Sequence, residues 1–122
     1  MNKKTKICLN AMVANEAPTI TRMLESCYRY IDYWVIQDNG SKDGTQDIIK
    51  NFFKEKNIPG FLYEVEWQFP GWNRDHALQT CLKTDHGCDW IIRIRRFIYT
   101  RSRNHFSCCS WYVLTYFHNY HF

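Results

Sequence analysis

Acidic residues are missing from the last quarter of this 122-residue chain. All 12 aspartates and glutamates lie at or before Asp89, whereas residues 93–122 contain five arginines and no acid. The net charge of +4 is therefore concentrated in the final segment, which also holds nine aromatic residues and three histidines. A change in composition this sharp predicts a boundary in the chain.

Long hydrophobic runs are also missing. The longest apolar stretch, SCCSWYVLTYF, is shorter than the roughly 18–20 residues that span a bilayer, so no transmembrane segment is predicted. The start of the chain lacks the apolar core and cleavage site of a secretory signal. The six cysteines are scattered and show no standard zinc-ligand spacing, so we expect reduced thiols, no zinc site and a cytoplasmic protein.

Apolar runs and helical periodicities alternate along the first three quarters of the chain. Strands are predicted at residues 6–13, 33–37, 61–66 and 89–94, and helices at 17–29, 44–57 and 73–83. Asp43 and Gln46 have the spacing of a capping box for the second helix. Strands that alternate with helices predict an α/β fold, with a parallel sheet of about four strands flanked by helices. Such sheets bind ligands at the carboxyl ends of their strands.

Polar residues follow the predicted strands at these carboxyl ends. In VANEAP, Asn15 and Glu16 can form an ordinary helix cap or contact a ligand. In QDNGSKDGT, Asp38 can accept hydrogen bonds from a base or a ribose, while Asn39 and Ser41 belong to a tight turn. The same stretch is equally consistent with a turn followed by a helix cap, so the residues alone leave both interpretations open.

The segment FPGWNRD follows the third predicted strand. It places Asn73 and Arg74 at the predicted start of a helix. An arginine beside helix-start amides suits a diphosphate, because both donate hydrogen bonds to anionic oxygens. A solvated surface arginine would have the same sequence, so this interpretation also has a structural alternative.

Taken together, these segments resemble the nucleotide-binding half of family 2 glycosyltransferases, which have the Rossmann-like GT-A fold. The resemblance is carried by ICLNAMVANEAPTITRMLES, YIDYWVIQDNGSKDGTQDIIKNFF and WNRDHAL, and the most specific part is GS-x-DGT between a strand and a helix. It implies a UDP- or GDP-sugar donor and leaves the acceptor unknown. It also implies a nucleotide-binding set consisting of Val13, Asn15, Glu16, Asp38, Asn39, Ser41, Asn73 and Arg74.

Within that set, the resemblance assigns recognition of the base to Asp38 and lining of the nucleoside to the Val13–Glu16 tip. Asn73 and Arg74 fall where the family approaches the diphosphate. One departure is visible beside Asp38: many members carry a second acid at the position of Gln37.

A second departure concerns the metal. In the family the fourth strand ends in a D-x-D motif that binds Mg²⁺ or Mn²⁺, whereas this chain has Arg95, Arg96 and Phe97 there. Arginine does not ligate hard cations, which prefer carboxylate oxygens. We therefore expect no metal cofactor and assign no catalytic residue. Residues 1–94 are interpreted as a truncated nucleotide-sugar-binding domain, and residues 95–122 as a basic aromatic tail that is not a domain.

Three explanations of the tail remain. A change of reading frame near codons 93–95 would leave a glycosyltransferase that is inactive or weakly active alone. A complementing chain, or arginines in place of the metal, would give an active transferase. A tail that contacts a membrane surface or nucleic acid would make the protein a non-catalytic accessory. The sequence leaves open whether the tail covers the exposed edge of the fourth strand.

Overall fold

A computed structural model describes residues 5–84, 87–100 and 107–117, with side chains described as far as residue 94. Strands and helices alternate up to the fourth strand, as the periodicity predicts. The elements are β1 (Ile7–Val13), α1 (Ile20–Cys27), a short 3₁₀ turn (Tyr28–Tyr30), β2 (Tyr33–Asp38), α2 (Thr45–Lys56), β3 (Gly60–Glu64), α3 (Pro70–Thr84), β4 (Trp90–Thr100) and β5 (Ser107–Phe117).

The strands form one sheet in the order β3-β2-β1-β4-β5. The first four are parallel, and Val13 of β1 pairs with Asp38 of β2, which in turn pairs with Glu64 of β3. This register aligns the carboxyl ends of the three strands. The predicted α/β fold, a four-stranded parallel sheet flanked by helices as in a partial Rossmann-like fold, is confirmed.

The fourth strand is longer than predicted and has a partner. β4 continues to Thr100 rather than ending at Ile94, and β5 pairs with it antiparallel from Trp90–Phe117 to Thr100–Ser107. Antiparallel pairing satisfies backbone donors and acceptors whatever the side-chain pattern, so the irregular sequence of the tail is compatible with a strand. The edge of β4 is therefore covered. The side chains on which membrane or nucleic-acid contacts would depend lie outside the described residues.

Helix starts differ from the prediction by a few residues. α1 begins at Ile20 rather than Ala17, because Thr19 and Ile20 both donate their backbone N–H to the Glu16 carbonyl oxygen and form a turn first. α3 begins at Pro70 rather than Asn73, and proline suits the first position of a helix because it needs no backbone donor there. Asn73 thus lies inside α3.

Two apolar layers cover the sheet, because successive residues of a strand point to opposite faces. On one face α1 and α2 pack through a core that includes Leu9, Leu24, Ile36, Ile49 and Phe53. On the other face α3 packs through Cys81 over Cys8, Val35, Cys88 and Ile91. Cys8, Cys27, Cys81 and Cys88 are buried and take part in no disulfide, as expected for reduced thiols. In the described part of the chain, no helix is long and apolar enough to cross a bilayer.

Candidate functional site

The tips of β1 and β2 are joined by hydrogen bonds at the carboxyl edge of the sheet. The backbone N–H of Asn39 donates to the Val13 carbonyl oxygen at 2.9 Å. The backbone N–H of Asn15 donates to Ser41 Oγ at 2.8 Å, and Asn15 Oδ1 accepts from the Lys42 N–H at 2.8 Å. Asn15 has a positive φ of 51°, a conformation that asparagine tolerates better than most residues. The two tips therefore form one joined surface.

A second set of bonds ties the same tip to the start of α2. The backbone N–H of Glu16 donates to Thr45 Oγ1 at 2.9 Å, and that of Ala17 donates to Asp43 Oδ2 at 3.1 Å. Thr45 in turn donates its hydroxyl and its backbone N–H to Asp43 Oδ1. The hydroxyl bond from Thr45, with further backbone donors, lowers the pKa of Asp43 below its ordinary value.

Asp38 is the buried centre of the turn after β2. Its Oδ2 accepts the backbone N–H groups of Gly40 at 3.3 Å and Ser41 at 2.9 Å, and the side-chain amide of Gln46 at 2.6 Å. Its Oδ1 accepts the hydroxyl of Ser41. The side chain is fully buried. A carboxylate that accepts this many hydrogen bonds holds the turn in a single conformation.

The predicted capping box of α2 is wrong. Gly44, with a φ of 89°, occupies the cap position, and Asp43 before it accepts the backbone N–H of Thr45 at the start of α2. Gln46 donates to Asp38 instead of reaching back to Asp43. The buried carboxylate is the better partner, because a hydrogen bond to a charged acceptor is stronger than one to a backbone group. Gln46, which was expected to cap the start of α2, thus supports the turn after β2.

Gln37 points to the face of β2 opposite to that of Asp38, and its side chain joins β2 to β3 and α3. Its Oε1 accepts from Tyr63 Oη at 2.8 Å and lies 2.9 Å from His76 Nδ1, while its Nε2 donates to the Asn73 carbonyl oxygen at 3.0 Å. Because the amide oxygen only accepts, His76 carries its proton on Nδ1 in this arrangement. Burial raises the pKa of Tyr63 to about 12, so the phenol stays a donor at neutral pH.

Asn73 connects α3 to the turn after β2. Its Nδ2 donates to Asn39 Oδ1 at 3.1 Å and to the Glu66 carbonyl oxygen at 3.3 Å. Its Oδ1 accepts the backbone N–H groups of Gln68 at 2.9 Å and Phe69 at 3.1 Å. The fully buried amide therefore makes all the hydrogen bonds it has capacity for and shapes the β3–α3 loop.

Two arginines lie where α3 meets the sheet. Arg74 is partly exposed in the first turns of α3, and its Nε donates to the Pro70 carbonyl oxygen at 3.1 Å. Arg93 of β4 donates from Nε to Asn10 Oδ1 at 3.1 Å and from Nη2 to the Arg74 carbonyl oxygen at 3.1 Å. Asn10 also donates to the backbone of β2 and α3, so this cluster fixes the helix to the sheet.

The structure brings together six of the eight residues predicted for the nucleotide site. Hydrogen bonds connect Val13, Asn39 and Asn73 in one group and Asn15, Ser41 and Asp38 in another, and the two groups meet where Asp38 and Asn39 adjoin in the chain. Glu16 follows Asn15 in the chain and donates its backbone N–H to Thr45, and Arg74 follows Asn73 on α3. Their contacts with a nucleotide stay predictions.

Sequence reasoning missed four members of this region, Thr45, Gln46, Tyr63 and His76. The GS-x-DGT pattern ends at Thr45, and the segments that carry the resemblance include Gln46 and His76, but none of the three was assigned to the site. Tyr63 and His76 look like ordinary strand and helix residues along the chain, and nothing local indicates that they meet at Gln37.

The residues that the resemblance places at the metal position of the family would not suit Mg²⁺ or Mn²⁺, and the expectation of no metal cofactor stays a prediction. Arg95, Arg96 and Phe97 offer no oxygen ligand, and two of them carry positive charge. The described residues also contain no group of three or more histidine, cysteine, aspartate or glutamate side chains placed to hold a metal. No step of a reaction is therefore assigned to a metal here.

Comparison with known proteins agrees with this geometry. The family model for Glycosyl transferase family 2 matches residues 12–94, which include every strand tip described above. The chain belongs to this family. No curated protein matches the chain.

Proposed function

We propose that this protein binds the nucleotide of a UDP- or GDP-sugar donor at the carboxyl edge of its parallel sheet. The observation that carries the proposal is the hydrogen-bonded surface that joins the Val13–Glu16 tip, the turn from Asp38 to Thr45 and the buried end of α3 at Asn73. Nucleotide ligands of open α/β sheets bind outside the carboxyl ends of the strands, which is the location of this surface. Membership of the family supports the same donor class.

Within this proposal the residues have separate tasks. Asp38 holds the turn so that Asn39 and Ser41 face the nucleoside, and Asn15 presents the β1 tip beside them. Arg74 supplies the positive charge for the diphosphate, since its guanidinium is partly exposed and has one described bond, to Pro70. Asn73 acts by shaping the loop that precedes Arg74.

The nucleotide binds without a divalent metal in this proposal. The residues that would replace the metal ligands are Arg95 and Arg96, whose charge opposes cation binding. Cationic side chains can offset the charge of a diphosphate, but residues 93–122 contain no acid to hold a metal or to serve as a base. We therefore expect little or no sugar transfer by this chain alone, and activity only with a complementing chain.

Calorimetric titration with UDP and GDP, each with and without Mn²⁺, tests the proposal. We expect binding of at least one nucleotide, with the same affinity in the presence and absence of the metal. Adenosine diphosphate serves as the control nucleotide. An affinity that rises strongly with Mn²⁺ would contradict the metal-free site, and no binding of UDP or GDP under either condition would reject the proposed function.

A further inference from the structure

A pocket opens between the turn after β2 and the segment that follows β3. Its volume is about 470 Å³, and it is lined by Asn39, Gly40, Glu64, Val65, Glu66 and Trp67. Pockets of this size accommodate small-molecule ligands, and a few converging polar groups usually determine which ligand fits. Asn39 and Gly40 directly follow Asp38, so the pocket adjoins the proposed nucleotide site. Its own lining contains two carboxylates, an amide and an indole.

Trp67 supplies an aromatic surface at this pocket. The side chain is 49% exposed, which is high for tryptophan, a residue that is mostly buried in folded proteins. The β1 tip from Met12 to Ala17 contains no aromatic residue, so it offers no stacking surface of its own. A nucleobase gains affinity by stacking on an aromatic side chain. The indole of Trp67 is placed to serve this purpose beside the turn.

The two carboxylates distinguish between bases. Glu64 and Glu66 are exposed and line the pocket, whereas Asp38 is buried and already accepts four hydrogen bonds. A carboxylate has two acceptor oxygens side by side. Guanine presents two adjacent donors, N1–H and the exocyclic amine. Uracil presents one N–H between two carbonyl oxygens, which a carboxylate repels. The chemistry of the pocket therefore favours guanine.

We propose that this pocket binds a guanine base, with the base stacked on Trp67 and its N1–H and amino group donating to a carboxylate of Glu64 or Glu66. The donor is then a GDP-sugar rather than a UDP-sugar. This inference rests on the proposed nucleotide-binding function and specifies its ligand. None of the six lining residues carries a positive charge, so the pocket receives the base and the diphosphate lies outside it.

The first experiment uses the wild-type protein with GDP, IDP and UDP. Inosine diphosphate has the same ring as guanosine diphosphate but lacks the exocyclic amine. Because a hydrogen bond to a charged group is lost, we expect IDP to bind roughly 10- to 100-fold more weakly than GDP. UDP should bind more weakly still. GDP and IDP with equal affinities would overturn the assignment of the carboxylates.

The second experiment uses substitutions at exposed residues, which leave the hydrophobic core unchanged. Trp67→Leu should weaken GDP binding roughly 10- to 100-fold, and Trp67→Phe should restore part of it, because phenylalanine still stacks. Glu64→Gln or Glu66→Gln should reduce the preference for GDP over IDP. Glu55→Gln, an exposed glutamate on α2, is the matched control and should bind as the wild type does. GDP binding that is unaffected in Trp67→Leu, Glu64→Gln and Glu66→Gln would overturn the inference.

Failure of this inference can be told apart from failure of the proposed function. If GDP and UDP bind with equal affinity, the nucleotide site stands and guanine selectivity is rejected. If neither binds, the proposed function itself is rejected, and the guanine assignment falls with it.

Discussion

The side-chain amide of Asn73 in α3 donates to the side-chain oxygen of Asn39, which directly follows β2, over 3.1 Å. These residues are 34 positions apart in the chain, and their bond joins the helix to the turn that Asp38 organises. Asn73 also accepts from the backbone of Gln68 and Phe69, so one buried amide sets both the turn and the β3–α3 loop.

Removing this amide should loosen the β3–α3 loop. In Asn73→Ala, the N–H groups of Gln68 and Phe69 lose their acceptor, and we expect the free energy of unfolding to fall by about 1–3 kcal/mol. Hydrogen exchange at these two amides should become faster. The exposed Asn51→Ala on α2 is the control. Unchanged exchange at Gln68 and Phe69 would show that the amide does not hold the loop.

Asp38→Ala should weaken nucleotide binding and destabilise the turn. The substitution removes the acceptor of Gly40, Ser41 and Gln46 and leaves their donors without a partner, so a loss of stability of about 1–3 kcal/mol is expected. Thermal denaturation and nucleotide titration measure the two effects separately. Asp47→Ala, an exposed acid in the first turn of α2, provides the comparison. Nucleotide affinity equal to that of the wild type would remove Asp38 from the site.

Gly60→Ala should be strongly destabilising. A methyl group at this first residue of β3 would collide with the backbone oxygen and the indole ring of Trp34 on the neighbouring strand. The backbone oxygen cannot move without disturbing β2, so we expect the free energy of unfolding to fall by about 1–3 kcal/mol or more, as for other overpacked positions.

Gly71→Ala is the matched control for this substitution. Gly71 lies in the first turn of α3, where the nearest atoms, on the ring of Phe69, are 3.9 Å from the added carbon. Alanine has the higher helix propensity, so this variant should be neutral or slightly more stable. Chemical denaturation of both variants tests the difference, and equal stabilities would contradict the close approach at Gly60.

The stability of the protein should fall between about pH 10 and pH 12 through Tyr63. Burial raises the pKa of its phenol to about 12, whereas an unfolded tyrosine titrates near 10. The folded state therefore holds a proton that the unfolded state has lost. Its contribution to stability is complete below about pH 10 and disappears as the pH approaches 12.

Comparison with Tyr63→Phe isolates this effect. The variant also loses the hydrogen bond to Gln37 and should be less stable at neutral pH by about 0.5–1.5 kcal/mol. Its denaturation midpoint should then fall less steeply above pH 10. Cys27, whose pKa burial raises to about 11, titrates in both proteins and cancels from the comparison. Identical pH profiles would place the titration elsewhere.

Much of the fold could be read along the chain. Apolar runs such as YWVIQ and helical spacings such as that of Ile49, Phe52 and Phe53 are local patterns. Each predicted strand or helix begins within a few residues of its expected start, although β4 continues six residues beyond its expected end. The polar tips were located because turn residues follow buried strands. The extension of β4 beyond Ile94 and its pairing with β5 could not be predicted from the sequence, because they depend on an available strand edge rather than on a local residue pattern.

Three properties follow from the amino-acid sequence alone: the alternation of strands and helices, the position of Asp38 at a strand end, and the absence of acids where the resemblance places the metal site of the family. These properties depend on residue type and local spacing. Three other relationships required the folded chain: Gln46 donates to Asp38, Gln37 contacts Tyr63 and His76, and β5 pairs with β4. Each of these contacts joins groups whose meeting depends on the geometry of the folded sheet and turns, which local sequence patterns do not encode.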